Sequence, residues 1–242
     1  MSIDSEIITI SDLAVEVVRK PIKNLHLAVY PPDGRIRVAV PTKTTEDNVR
    51  LAVISKLAWI RRQKSDFVKQ PRQPERIYVS GETHHVWGRK YLLDVQWRHG
   101  KHEIRIQNAK KITLFVKAGT SRENREKVFR EWYRNELKAA AAPMIEKWSE
   151  KIKVQPSFWG TKKMRTKWGS CATQSKRIWL NLELAKKPPE CLEYIVVHEL
   201  IHLLERNHNQ AFLTHMEKHL PYWRHFRDRL KAEPLAHEDW DY

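Results

Sequence analysis

The sequence has few cysteines and no long apolar run. Two cysteines, Cys171 and Cys191, occur in 242 residues, and this is too few for the disulfide framework that stabilises small secreted domains. No stretch approaches the roughly 18 uncharged apolar residues that a membrane span requires. The segment Met1–Glu6 is acidic and lacks the basic-then-apolar layout of a signal peptide. We therefore expect a reduced, cytoplasmic protein that does not enter a membrane.

The composition supports a folded chain with a sizeable core. Hydrophobic residues make up 41% of the sequence and include ten tryptophans, so disorder throughout is excluded. The length allows one large domain or two modest ones. Up to residue 118, short apolar runs separated by turn signals predict strands, with one helix from an N-cap at Thr45 to about Val68. A faint repeat links Arg35–Ile60 with Lys111–Leu137.

The second half has a different pattern. Ser121 is a good N-cap for a long helix, which Pro143 should kink or divide. Pro188-Pro189 suits the first turn of a later helix. We therefore predict an α+β protein in which residues 1–118 form a mainly antiparallel β-rich domain with one helix. Residues 119–242 should form a mainly helical domain with a small sheet.

The segment His198-Glu199-Leu200-Ile201-His202 is the most informative one in the chain. Two histidines four residues apart project from nearly the same side of a helix, and neutral imidazole is a good ligand for Zn²⁺. Glu199 occupies the position where the general base of a metalloprotease is found. The flanking residues are apolar on most sides, which predicts a buried helix whose polar side chains need a partner. A metal ion would supply that partner.

His208 lies at a spacing that could complete the site. On a continuous helix it would point away from His202, so the chain must turn first, and we expect the turn at Arg206-Asn207. Asn209 could then cap a new helix. In the metzincin pattern HExxHxxGxxH a glycine makes this turn, whereas Glu205 stands there in this chain. The turn must therefore be built differently.

The surrounding segments resemble the YgjP-like metallopeptidases, which are zincins related to the WLM and SprT-type proteases. The family pattern WGSC…LN…VVxHELxHLxxxNHxxxFW is matched by Trp168–Cys171, Ile178–Leu182, Tyr194–His202 and Asn207–Phe212. The match is close over the C-terminal half and looser over the N-terminal half. It departs at Asn209, where serine is usual, and at Leu213, where an aromatic residue is usual.

The resemblance implies a zincin-type catalytic domain over residues 119–242. His198, His202 and His208 would bind zinc, and Glu199 would be the catalytic base of a metallopeptidase that hydrolyses protein or peptide substrates through a zinc-activated water. Two alternatives remain. A nucleic-acid-binding protein with a structural zinc is disfavoured, because such sites usually have four ligands and no clear fourth is present. A metal hydrolase of a non-peptide substrate is the other, since HExxH specifies a metal and a base but no scissile bond.

The net charge of the chain favours an anionic binding partner. Lys and Arg number 45 against 29 Asp and Glu, a net charge of +16, which would attract anions and nucleic acid first of all. The cations are spread widely, so a solvated basic surface explains them equally well. The basic segment Lys162–Lys167 is stronger evidence for an anionic partner, because it directly precedes Trp168–Cys171 near the expected active site. A basic rim there could bring the protease to proteins on DNA or favour acidic substrates.

Three further features receive structural predictions. Cys171 could bind or shield the metal, although a small buried residue in a tight turn is favoured. His84-His85 falls on a hairpin and is expected at the surface. The strand Ile178–Leu182 should pack against the metal helix and could pair with an extended peptide.

Overall fold

The computed structural model describes residues 5–30, 33–69, 76–164 and 167–232. These residues form two compact units, of which the first extends to residue 69 and the second begins at residue 76. The sequence predicts a domain boundary between residues 118 and 119, and that boundary stays a prediction. The structure confirms the α+β class, with sheets in the N-terminal half and helices with a small sheet in the C-terminal half.

The first unit is a four-stranded sheet with two helices. Its elements are β1 (Ser5–Ile10), β2 (Leu13–Lys20), β3 (His26–Tyr30), β4 (Arg35–Pro41), α1 (Glu46–Ile54) and α2 (Leu57–Lys69). The strand order is β1-β2-β4-β3, and β2 and β4 are parallel whereas the other pairs are antiparallel. Alternate residues of β4 are buried, with the helices covering them.

One expectation for this unit is corrected. Thr45 caps α1 as predicted, but the single expected helix is two helices. The first ends where the Ser55 hydroxyl donates a hydrogen bond to the carbonyl of Ala52. Serine competes in this way with the helical hydrogen bonds of the backbone, and hydrophobic periodicity alone does not show such a break.

The second unit begins with another four-stranded sheet. Its elements are β5 (Thr83–Val86), β6 (Arg89–Trp97), β7 (Glu103–Ile106), β8 (Lys111–Val116) and the long helix α3 (Arg122–Ile152). Ser121 caps α3, as expected. Pro143 does not divide the helix, which runs unbroken for 31 residues. A continuous stripe from Phe129 to Ile152 is buried in the core, and this packing outweighs the hydrogen bond that proline removes.

The two four-stranded sheets share one topology. The second has the order β5-β6-β8-β7, with β6 and β8 parallel and both outer pairs antiparallel, as in the first. Ile36 and Ile112 are buried at matching positions, and Thr45 and Ser121 cap the following helices. The faint repeat in the sequence therefore corresponds to a repeated arrangement of four strands followed by a helix.

The remainder of the second unit contains a small sheet and the helix with the HExxH motif. The elements are β9 (Phe158–Lys162), β10 (Gly169–Ala172), β11 (Arg177–Asn181), a 3₁₀ helix (Leu182–Lys186), α4 (Pro189–Ile201), α5 (Gln210–His219) and α6 (Trp223–Ala232). The sheet order is β10-β11-β9. Over the described residues, no helix combines the length and apolar character that crossing a bilayer demands.

Candidate metal centre

Helix α4, which carries the HExxH motif, is buried on almost every side. Pro189 opens its first turn, as expected. Every residue from Tyr194 to Val197 is at most 6% exposed, and Leu200 and Ile201 are fully buried. Helices α3, α5 and α6 and strands β10 and β11 all contact it. This packing holds the motif on a rigid element, as a precisely placed site requires.

The chain turns immediately after the second histidine of the motif. Helix α4 ends at Ile201 with His202 as its C-cap, earlier than the turn at Arg206-Asn207 that the sequence suggested. Asn209 caps α5 by accepting a hydrogen bond from the Phe212 amide at 2.9 Å, as predicted. Its side-chain amide also donates to Glu205 at 3.0 Å. This Asn209–Glu205 bond anchors the turn at the position where metzincins have glycine.

The turn brings three histidines together. Each of His198, His202 and His208 offers one ligand atom, and these three atoms lie within 4.8 Å of one another. The Nε2 atoms of His198 and His208 are 3.1 Å apart, and two nitrogens bound to one tetrahedral zinc lie about 3.3 Å apart. The ring of Phe212 lies 5.0, 4.8 and 4.7 Å from the three imidazole rings and packs against all of them.

The protonation state of the cluster suits metal binding. His202 Nδ1 lies 3.0 Å from the carbonyl oxygen of Glu205, so Nδ1 donates and the lone pair of Nε2 stays free. Burial lowers the pKa of His198 to about 3 and also lowers the pKa of His202. Neutral imidazole is the form that binds metal. Three converging nitrogens, with no fourth ligand in the cluster among the residues that the structure describes, are a donor set that fits zinc.

Glu199 lies beside this cluster and is 4% exposed. Burial raises the pKa of its carboxyl to about 8, and the positive charge of Lys167 opposes the rise. Oε2 has no hydrogen-bond partner among the described residues. A carboxyl group with a pKa near neutrality and a free oxygen can accept a proton from water and release it again.

All four predicted residues line one cavity of about 840 Å³. Its wall also contains Trp168 and every residue of β10. Cys171 is part of that wall, but it does not belong to the metal-ligand group found in the described residues. Burial and the neighbouring Glu199 raise the pKa of its thiol to about 11. Both influences favour the thiol over the thiolate at Cys171.

The small sheet corrects the expectation about the strand that could pair with a peptide. Strand β11 lies between β9 and β10 and has no free edge, whereas β10 is an edge strand. The amide of Asn181 donates to the carbonyl of Trp168 at 2.8 Å, which fixes the alternation along the antiparallel pair. The backbone groups of Gly169 and Cys171 consequently point away from β11 and towards the open edge.

Asn181 has a role that sequence reasoning missed, although it stands in the family pattern. Its side-chain amide donates to the carbonyls of Met164 and Lys167 at 2.8 and 2.7 Å. Its oxygen accepts from the amides of Met164 and Glu183. The side chain thus holds the backbone at Met164 and at Lys167 against the end of β11. A buried asparagine at the end of an apolar strand was the available signal.

His84 is not at the surface, contrary to expectation. It is 1% exposed and stacks on Phe129, with 4.4 Å between ring centroids. The strand β5 turns His84 towards α3, and His85 points to the opposite face, as alternation requires. Burial lowers the pKa of His84 to about 2, so its 3.4 Å approach to Glu82 is not an ion pair at neutral pH.

Comparison with known proteins gives a family match. A family model described as YgjP-like, metallopeptidase domain, matches residues 23–233. The metallopeptidase zymogen abylysin of Pyrococcus abyssi is 20% identical, with a TM-score of 0.34, over 36% of this chain and 89% of that one. The metallopeptidase zymogen jannalysin of Methanocaldococcus jannaschii is 21% identical, with a TM-score of 0.33, over 36% and 90%. Curated proteins gave no match.

Proposed function

Because the chain belongs to the YgjP-like metallopeptidase family, we propose that it is a zinc-dependent peptidase with Glu199 as its general base. The observation that supports this most is the convergence of His198, His202 and His208 beside the buried Glu199 in one cavity. Three protein ligands leave one coordination position open, which is the arrangement of catalytic rather than structural zinc sites.

The metal would supply Lewis acidity: bound zinc lowers the pKa of a water molecule and polarises a carbonyl group. Imidazole nitrogen suits zinc better than it suits magnesium or calcium, which prefer oxygen ligands. His202 is held in the correct tautomer by its bond to the Glu205 carbonyl. Phe212 packs against the three rings and limits their rotation.

Glu199 performs the proton transfers in this proposal. Its free Oε2 accepts the proton of the attacking water, and the same carboxyl group then donates it to the leaving amine. Glu199 ends each turnover in its starting protonation state, because it gives the leaving amine the proton that it took from water. Burial raises the pKa of the Glu199 carboxyl, and the positive charge of a bound zinc ion would lower it and favour the carboxylate that accepts a proton.

The edge strand β10 provides a place for an extended substrate. The outward amides and carbonyls of Gly169 and Cys171 can pair with a peptide backbone, which gives affinity without sequence selectivity. Gly169 adjoins Glu199, so a peptide on this edge has its backbone next to the base. This edge supports a peptide over a small non-peptide substrate.

The experiment compares cleavage of a proteome-derived peptide library by three preparations: purified protein, protein stripped of metal by a chelator, and stripped protein given one equivalent of zinc. We expect cleavage by the first, none by the second and recovery in the third. A stripped protein that cleaves as fast as the zinc-loaded one would contradict the proposal. Zinc-dependent folding without any cleavage would favour the structural-zinc alternative.

A nucleic-acid partner stays a prediction based on net charge. The test measures binding of fluorescent single- and double-stranded DNA, and peptide cleavage with and without DNA, over a range of salt concentrations. DNA-stimulated cleavage would support action near nucleic acid. Absence of salt-dependent binding would remove the prediction and leave the peptidase proposal intact.

A further inference from the structure

The cavity at the candidate metal centre is lined by cations. Lys167, Arg206 and Arg227 contribute to its wall, and Glu199 is the single acidic member among the described lining residues. Glu199 is almost entirely buried, so it neutralises little of the charge that a ligand meets at the entrance. Low-dielectric walls focus the field of such charges into a cleft. The cavity therefore presents a positive potential to its contents.

Two of these cations are available to a ligand. Lys167 and Arg206 are exposed, and neither side chain has an ion-pair partner within the part of the chain that the structure describes. Arg227 differs, because it donates to Asp228 at 2.8 Å and lies 5.2 Å from the Trp223 ring centroid. Its guanidinium is already held by these contacts.

Lys167 and Arg206 reach the cavity from different segments. Lys167 precedes the edge strand β10, and its charge acts on Glu199. Arg206 belongs to the turn between the second and third histidines of the cluster. A peptide that lies along β10 with a carbonyl group at the histidines would have one cation near the strand and the other near the turn.

On the basis of the proposed peptidase function, we propose that Lys167 and Arg206 select substrates that carry a carboxylate near the scissile bond. An extended peptide presents its side chains at alternate positions, so single carboxylates can meet single cations. Two separate cations suit such a peptide better than they suit a nucleic-acid backbone, because the backbone needs a row of cations along successive phosphates. The carboxylate belongs either to an internal Asp or Glu or to the C-terminus of the peptide.

The first experiment measures kcat/KM for quenched peptides that differ by Asp or Asn at each position around the cleaved bond, with free or amidated C-termini. We expect a preference of roughly 5-fold for Asp at one or two positions, the size of a partly exposed ion pair. The preference should fall at high salt. A preference confined to peptides with free C-termini would assign the carboxylate to the terminus.

The matched variants locate the effect. Lys167→Gln with Arg206→Gln should reduce the preference, measured as the ratio of kcat/KM for the Asp and Asn peptides, to about 2-fold or less. The ratio is the readout because loss of the Lys167 charge also shifts the pKa of Glu199 and hence the absolute rates. Lys162→Gln is the control for each single substitution, because it removes one positive charge from β9, where Lys162 lies over the Trp179 ring, and it should keep the full preference. Equal cleavage of Asp and Asn peptides by the unaltered enzyme would overturn the proposal while the peptidase function stands.

A binding measurement separates this proposal from the proposed function. Fluorescence anisotropy with Glu199→Gln protein and a seven-residue peptide containing three Asp or three Asn residues should show tighter binding of the acidic peptide. Such binding without cleavage by the unaltered protein would contradict the peptidase function but support the carboxylate preference. Stronger competition by a single-stranded oligonucleotide than by the acidic peptide would overturn the preference in favour of nucleic acid.

Discussion

Gly169 and Glu199 pack so closely that no side chain fits between them. A Cβ atom at residue 169 would lie 2.5 Å from Glu199 Oε1 and 2.8 Å from its Cγ, closer than real Cβ contacts. The glycine of the WGSC segment is therefore explained by the carboxyl group that it adjoins. The backbone of β10 is thus in direct contact with the side chain of the proposed base, Glu199.

Substituting Gly169 by alanine tests this contact. The methyl group should displace the Glu199 carboxyl while leaving the histidines in place, and a shift of about 1 Å lowers kcat by roughly 10- to 100-fold. Zinc content should be unchanged. Ser170→Ala, in the same strand, is the control and should lower kcat less than about 3-fold. Full activity of the alanine variant would show that the position of Glu199 is unimportant.

The three-histidine cluster is tested by metal affinity. His208→Ala should weaken zinc binding by at least about 100-fold, because it removes one of three ligands. His215→Ala removes a histidine of α5 outside the cluster and should keep full affinity, and so should Cys171→Ser. Competition with a chromophoric chelator gives the constants. Weaker binding after Cys171→Ser would instead identify the thiol as a ligand.

Asn181 should matter for stability through its donated hydrogen bonds. Asn181→Asp retains the oxygen acceptor but removes both donors to the Met164 and Lys167 carbonyls, which costs roughly 2–4 kcal/mol of unfolding free energy. Asn108→Asp is a matched control, because Asn108 uses only its oxygen as an acceptor in the bonds to Lys110 and Lys111. Denaturant unfolding gives the free energy of unfolding of both variants, and equal values would refute the role assigned to Asn181.

His84 should make stability depend on pH. Burial, aided by Arg76, Lys186 and His85, lowers its pKa from 6.5 to about 2, so the folded ring stays neutral. Below pH 6.5 the unfolded chain takes up a proton that the folded chain does not. Folding should therefore lose roughly 2 kcal/mol between pH 7.5 and pH 5 through this residue.

The corresponding variants are His84→Phe, which keeps a ring beside Phe129, and His99→Phe at an exposed position. Unfolding free energies measured at both pH values should show a smaller pH dependence for His84→Phe than for the unaltered protein. His99→Phe should retain the original dependence. Identical dependence in all three proteins would mean that His84 is not the neutral buried group described above.

The sequence predicted those features that depend on local chemistry. Thr45, Ser121 and Asn209 were recognised as helix caps because a side-chain oxygen there satisfies a free amide, and all three cap helices. The spacing of His198 and His202 follows from helix geometry. These features require knowledge of only a few neighbouring residues.

Features that depend on distant neighbours were missed. The burial of His84 depends on Phe129 in α3, which lies far along the chain. Alternation shows that His84 and His85 face opposite sides but does not show which side is covered. Strands β10 and β9 form the two edges of the small sheet because both pair with β11, and strand order is not encoded in local periodicity.

Substitution of Glu199 by glutamine tests the central proposal most directly. Unaltered and Glu199→Gln proteins are loaded with one equivalent of zinc, their metal content is verified, and cleavage of the same peptide is followed under identical conditions. We expect equal zinc content and a loss of kcat of at least about 100-fold, because glutamine cannot accept the proton from water. Equal cleavage rates at equal zinc content would contradict the assignment of Glu199 as the base.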